Sequence, residues 1–209
     1  AKGRLNRPWQ SPKGTGIWLS MILRPEMMPN KAPQLTLLMA TVLADVIYEI
    51  TGVKPQIKWP NDLLIDGKKI AGILTEMQAE QDQIQYIVIA FGLNVNQDVE
   101  DIDPSLRDRA TSIRIATSQT WDRQQMIQQI LHTFETTYEL YLREGFSKIK
   151  EKWESYGFKV GQKIQIKQQD QLSEATFIGI SHDGALIVQM ENGDKEELYS
   201  AEINWFKHV

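Results

Sequence analysis

Residues 58–74 leave the backbone little choice. They read Lys58-Trp59-Pro60-Asn61-Asp62-Leu63-Leu64-Ile65-Asp66-Gly67-Lys68-Lys69-Ile70-Ala71-Gly72-Ile73-Leu74. Pro60 disfavours helix at the residue before it, so Gln56 to Trp59 reads as a short extended segment. Leu63, Leu64 and Ile65 read as a second, apolar strand. Asp66-Gly67 is a strong two-residue hairpin signal, and Lys68 to Glu76 reads as the returning strand. Polar groups then sit at both ends of one hairpin: Lys58, Asn61 and Asp62 where it starts, Lys68 and Lys69 where it returns. Two amines facing an amide and a carboxylate suit a polyanion and its magnesium ion. A solvated turn with surface lysines has the same composition, and the pattern alone leaves both open.

With 209 residues the chain can bury a real core, in one medium domain plus a small one. A net charge of −4 without a sustained basic run argues against a dedicated nucleic-acid binder. Cysteine is absent, which excludes disulfides and thiolate metal sites. The three histidines, His132, His182 and His208, lie far apart in sequence, so a histidine metal cluster is not expected and surface positions are. No apolar run is expected to span a membrane, and no secretory signal is visible. The expectation is a soluble, cytoplasmic protein. The chain does not begin with Met, so residues upstream are to be expected.

Around the hairpin, Ala1 to Gly16 is a loop by composition, with four cations, one Trp and no acid in sixteen residues. It reads as a cationic flap with an aromatic plate, able to close over a phosphate. A frayed basic terminus would look the same. Ile17 to Arg24 reads as a buried strand ended by Pro25. Leu35, Leu38, Met39, Val42, Val46, Ile47 and Ile50 fall at helical spacing between Ala32 and Thr51, with Gly52 as C-cap. Such a helix is about 28 Å long, enough to cover a sheet. Gln85 to Phe91 reads as another buried strand, followed by Gly92-Leu93-Asn94-Val95-Asn96. Asn at a strand end after Gly satisfies a turn or reads an adenine edge. Val99 to Arg109 reads as an acidic surface loop. Met126, Ile127, Ile130, Leu131, Phe134, Tyr138, Tyr141 and Leu142 make the apolar stripe of a helix from about Trp121 to Glu144. Phe146, Ile149 and Trp153 suggest a second, short one. From about Gly157 the pattern changes to short strands, with Val160, Ile164 and Ile166 alternating, segments 176–180, 186–189 and 196–199, and turns at Asp183-Gly184 and Asn192-Gly193.

Lys-Trp-Pro-Asn-Asp at 58–62 followed by Lys69-x-Ala71-Gly72-Ile73-Leu74 resembles the paired signature of biotin protein ligases. Arg4, Arg7, Trp9, Ser11, Pro12 and Gly14 resemble the arginine loop of the same family. Ala1 and Lys2 stand where its first Gly-Arg is usual, and Lys2 keeps the charge without the guanidinium fork. Gly92 to Asn96 resembles the family's Gly-Ile-Asn-Val-Asn element, with Ala90 where a glycine is frequent. Residues 110–113 match a segment that leads into a helix. Gly179, Asp183 to Leu186 and Ser200 to Ile203 resemble its SH3-like C-terminal domain, with Ala201 in place of a glycine.

The resemblance implies an α+β fold: a mixed or antiparallel sheet covered by helices, of class II synthetase type, over residues 1–156, and an SH3-like β-barrel over 157–209. It implies an ATP-dependent biotin–protein ligase that makes biotinyl-5'-AMP and then biotinylates a lysine of the biotin carboxyl carrier protein of acetyl-CoA carboxylase. Biotin carboxylate and ATP repel: one unit-charge pair at roughly 4 Å costs about 4 kcal/mol at an effective dielectric near 20. Lys69, Arg4 and Arg7 would cancel this charge. By resemblance, Lys69 and Arg4 are catalytic; Lys2, Gly3, Arg4, Lys69 and Gly72 bind biotin; Arg7, Trp9, Asn61, Asp62 and Asn94 bind ATP, Asn94 reading adenine. Magnesium arrives with ATP, against Asn61 and Asp62. A purely structural ion pair of Asp62 with Lys58 or Lys69 fits equally well.

In the family, a Ser-Thr-Asn strand and a Gln ahead of the arginine loop hold the biotin ureido ring, and both are expected upstream of Ala1. Lipoate–protein ligase and a non-catalytic binder of biotin or its adenylate are the competing readings. The C-terminal module favours biotin. Family members are monomers or homodimers, and no nucleic-acid or membrane element resembling theirs lies within these residues.

Overall fold

The structure, a computed structural model, describes residues 11–80, 83–168 and 171–205. Asp66 and Gly67 both take positive φ, 50° and 74°. That is the backbone a two-residue hairpin needs, because its twist matches the flanking strands. The turn joins β3 (Asp62–Ile65) to β4 (Lys68–Glu80), which runs four residues beyond the expected end at Glu76. With β1 (Ile17–Leu23), β2 (Gln56–Lys58) and β5 (Gln83–Leu93) they form a sheet of order β1-β5-β4-β3-β2. Every described strand pairing in it is antiparallel. Among the described residues a parallel contact occurs only as a bridge between Lys69 and Ala110.

Helix α1 (Ala32–Thr51) ends, as its sequence predicts, at Gly52 in the left-handed region, φ 72°. Thr36 Oγ1 donates to Thr75 Oγ1 at 2.8 Å, which fixes the sheet face that α1 covers. Successive strand residues alternate faces, so Ile57, Leu63, Ala71, Ile73, Ile87, Ile89 and Phe91 point with Thr75 toward α1, and all are buried. The helix is buried almost all round, because α3 (Arg123–Glu144) and α4 (Ser147–Tyr156) pack on its other side. This corrects one expectation: Pro29–Thr51 is long and apolar enough to cross a membrane, with a mean hydropathy of 1.3. Its apolar side chains are instead consumed by the core. Asp45, buried in α1, accepts from the Tyr156 hydroxyl at 2.9 Å and pairs with Lys152, which ties α4 down.

Other expectations also need correcting. β1 is not a buried strand: Ile17 alone of its residues is buried, because only β5 borders it among the described strands. Leu131 and Leu142 of α3 are exposed and leave the apolar stripe. The helix starts after Trp121, since Asp122 accepts from the Gln124 and Gln125 amides and caps it. A five-residue helix, α2 (Ile113–Thr117), precedes it, capped by Ser112. Val160 is exposed and lies outside any strand.

The C-terminal strands, β6 (Lys163–Gln168), β7 (Gln171–Ile180), β8 (Leu186–Met190), β9 (Lys195–Leu198) and β10 (Glu202–Trp205), form an antiparallel sheet of order β10-β6-β7-β8-β9. Ile164, Ile166, Phe177, Leu186, Val188 and Ile203 fill its core.

Candidate active site

The side of the first sheet turned away from α1 carries the polar residues of the hairpin. One row crosses all five strands: Trp18 opposes Gly92, Gly92 opposes Gly72, Gly72 opposes Asp62, and Asp62 opposes Lys58. Directly opposed residues point to the same face. Two adjacent glycines therefore make a low floor between an indole on one flank and a carboxylate and amine on the other. The next row, Ser20, Ala90 and Leu74, is also small near its centre. The Trp18 ring lies against Gly16, where an added Cβ would come within 2.5 Å of it. Arg123 donates to Gly16 O, and Asn96 N donates to Thr15 O. The chain just after the arginine loop is thereby pinned beside the row.

Lys69 reaches this face because of a β-bulge. Leu63 opposes Ala71 but Leu64 opposes Lys69, so Ile70 is an extra residue in β4. Strict alternation from Gly72 would have sent Lys69 to the α1 side; the bulge returns it to the open face and buries Ile70 instead. Lys69 Nζ then lies 2.6 Å from Asp62 Oδ1, and both side chains are partly exposed. The surroundings of Lys58 are less watery. Burial pulls its amine below the usual lysine range; the Asp62 carboxylate opposes this, Lys69 adds to it, and Glu202 of β10 opposes it again.

Asn61 closes the β3–β4 ladder: its Nδ2 donates to Ile73 O at 2.7 Å, and its own carbonyl accepts from Ile73 N. Asn94 is buried at the end of β5. Its Nδ2 donates to Thr111 O at 3.0 Å, its Oδ1 accepts from Gln97 Nε2 at 3.1 Å, and its amide N donates to Ile70 O. An amide carries two donor hydrogens, so the bond to Thr111 uses only half of them. The Gln97 Oε1 atom is buried without a hydrogen-bond partner among the described residues.

Asp62, Lys69, Gly72, Asn61 and Asn94 are thus brought to one end of one sheet. Lys2, Gly3, Arg4, Arg7 and Trp9 lie outside the described residues. Lys68, expected beside Lys69, turns away and donates to Arg107 O. The segment 107–111 runs along the start of β4, with Lys69 N donating to Arg109 O and Thr111 N to Lys69 O. Sequence reading did not single out Trp18, Gly92 or Gln97. The alternation of small residues at 90 and 92 was the available signal for the glycine floor. For Gln97 there was none.

Among the described residues no group of three His, Cys, Asp or Glu side chains gathers. The Asp62 carboxylate and the Asn61 side-chain oxygen are of the type that suits a cation arriving with most of its oxygen ligands already supplied by a triphosphate.

Comparison with known proteins follows the same division of the chain. Residues 2–94 match the biotin/lipoate A/B protein ligase family, which sets the class. Residues 159–204 match the biotin protein ligase C terminal domain. The chain belongs to the biotin protein ligase family. It is 43% identical over 202 residues to the bifunctional ligase/repressor BirA of Bacillus subtilis, covering 97% of this chain and 62% of that protein. It is 27% identical to the biotin–[acetyl-CoA-carboxylase] ligase of Paracoccus denitrificans, covering 97% of this chain and 85% of that one. The biotin protein ligase of Aquifex aeolicus in complex with biotin and ATP superposes with a TM-score of 0.82 at 27% identity, over 99% of this chain and 84% of that one. The first of these relatives is longer, and the chain spans 62% of its length.

Proposed function

We propose that the chain is the catalytic part of an ATP-dependent biotin–protein ligase. The observation that carries this is the Gly72–Gly92 floor with the Lys69–Asp62 pair at its end, in a chain of this family. The floor admits an apolar tail close to the backbone. On this reading the Lys69 amine is the cation at which the carboxylate and the α-phosphate meet.

In the first step a carboxylate oxygen of biotin attacks the α-phosphorus of ATP, and the bond to the leaving pyrophosphate breaks. Lys69, with Arg4 and Arg7, offsets the charge that gathers there. Asp62 holds the Lys69 ammonium in place and Asn94 takes the adenine; Asn61 and Asp62 would hold a magnesium ion that arrives with the triphosphate and would offset its charge. In the second step the amine of an acceptor lysine attacks the acyl carbon of biotinyl-5'-AMP, and AMP leaves. The acceptor is a biotin carboxyl carrier protein.

Pyrophosphate release from ATP, measured with biotin, with lipoate and with neither, tests the reading. Release that depends on biotin supports it. Lipoate-dependent release moves the chain to the sister activity named in the same family description. Release with neither, or none at all from a chain extended by its upstream residues, overturns it.

A further inference from the structure

Two hydrogen bonds carry the C-terminal sheet onto the N-terminal part of the chain, and one lands beside the signature hairpin. The turn between β7 and β8, Ser181-His182-Asp183-Gly184, is closed on itself: Ser181 N donates to Ala185 O, Gly184 N to Ser181 O, and Ala185 N to the Ser181 hydroxyl. Its outer carbonyls are used by α1 and by the turn that follows β2. Gln34 Nε2, at the start of α1, donates to His182 O at 2.7 Å, and the Gln34 Oε1 atom accepts from the Tyr141 hydroxyl at 2.5 Å. Trp59 Nε1 donates to Gly184 O at 3.2 Å. Gln34 and Trp59 are both buried.

Gly184 is the residue through which the turn fits. Its φ is +86°, and an added Cβ would sit 3.3 Å from Leu37 Cδ1 and 3.4 Å from Gln34 N. The backbone conformation and the close seat against α1 both demand glycine. Trp59 directly follows β2, which pairs with β3; Asn61 lies two residues on and Asp62 three. The indole is therefore the anchor from which Asn61 and Asp62, and through Asp62 the Lys69 amine, take their positions.

We propose that the Ser181–Gly184 turn positions the catalytic hairpin through the Gly184 carbonyl and the Trp59 indole. Trp59 and Gly184 are then positioning residues for adenylation, and this turn of the C-terminal domain holds the reacting groups in register. The inference rests on the ligase reading above. The glycine floor lies on β4 and β5, which α1 supports without the turn. Loosening the anchor should therefore change the chemical step while biotin still binds.

Two variants test this. Trp59→Phe keeps the apolar ring and removes the N–H; Gly184→Ala keeps the N–H and shifts the carbonyl. Each is checked for its fold by circular dichroism and assayed well below its melting temperature. Biotin affinity is measured by calorimetry, and adenylate formation by single-turnover pyrophosphate release. Displacing a positioned group by about 1 Å can cost up to about 10²-fold. The expected result is a fall in the adenylation rate of about tenfold in both variants, with KM for biotin and biotin affinity within about twofold of the parent. A purely structural anchor would lower the melting temperature and leave the rate of the folded fraction unchanged, and that result overturns the proposal. If Trp59→Phe does not fold, Gly184→Ala decides alone by the same criterion. A parent chain with no biotin-dependent release overturns the ligase reading and this inference with it. An active parent with unchanged variants overturns the inference only.

Discussion

Gly72 of β4 and Gly92 of β5 face each other across the sheet, with Trp18 and Asp62 as their outer neighbours in the same row. Neither glycine is required by a turn, and glycine weakens a strand interior, so the pair stands in a place where propensity argues against it. Gly72→Val puts a branched side chain on the floor. Valine favours strands, so stability should hold or rise slightly. KM for biotin should rise by at least about tenfold, the factor that about 1.4 kcal/mol of lost binding produces. Calorimetry of biotin binding checks it; unchanged affinity would place the biotin tail elsewhere.

Lys69 and Asp62 form a partly exposed pair, and such pairs stabilise a fold by only about 0–1 kcal/mol. Lys69→Ala should leave the melting temperature nearly unchanged. If the amine stabilises the charge developing at the phosphate, the rate of adenylate formation should fall by about 10²–10³-fold. A Lys69→Ala protein that turns over at the parent rate would remove Lys69 from the site.

Asn94 combines two duties, and they can be separated. Its side chain is buried against Thr111 and Gln97, so Asn94→Ala strands the Thr111 carbonyl and costs about 1–3 kcal/mol of stability. Gln97→Ala leaves Asn94 in place but frees its amide to rotate. If Asn94 reads adenine through its remaining N–H, Gln97→Ala should raise KM for ATP while leaving KM for biotin unchanged. Equal effects on both substrates would make Gln97 a packing residue only.

The hairpin was legible because its signals are local: Pro60, the apolar triplet 63–65 and Asp66-Gly67 each act on their own neighbours. The α1 stripe was legible for the same reason. The bulge at Ile70 was not, since it inserts a residue without any turn-forming side chain, and it decides which face Lys69 occupies. The exposure of β1 depends on which strand borders it, a fact of topology rather than composition. The hold of Gly184 on Trp59 joins residues 125 apart in sequence. Sequence alone offers Asp183-Gly184 as a turn and is silent on what the turn grips. Asn61 and Asn94 were expected to meet ligand, and much of their hydrogen bonding in fact closes the protein's own backbone.

Tyr141 gives the last test. Its hydroxyl donates to Gln34 Oε1 at 2.5 Å, inside the contact between α1, α3 and the C-terminal turn. Burial, with the neighbouring Tyr138 adding to it, pushes its ionisation up to about 12 from an ordinary value of 10.0. The folded state thus binds a proton that the unfolded chain releases above about pH 10. A raised pKa contributes stability that is fully present below 10 and is lost as pH climbs through about 12. Tyr141→Phe removes that contribution and leaves Gln34 Oε1 unpaired, a cost of about 1–3 kcal/mol near neutral pH. The gap between parent and variant should be largest at about pH 8 and should shrink through the 10–12 window as the parent tyrosine ionises. Urea midpoints of both proteins at about pH 8 and about pH 11.5 measure it. A gap that stays constant or widens would mean that burial does not raise the ionisation of Tyr141 in the folded protein.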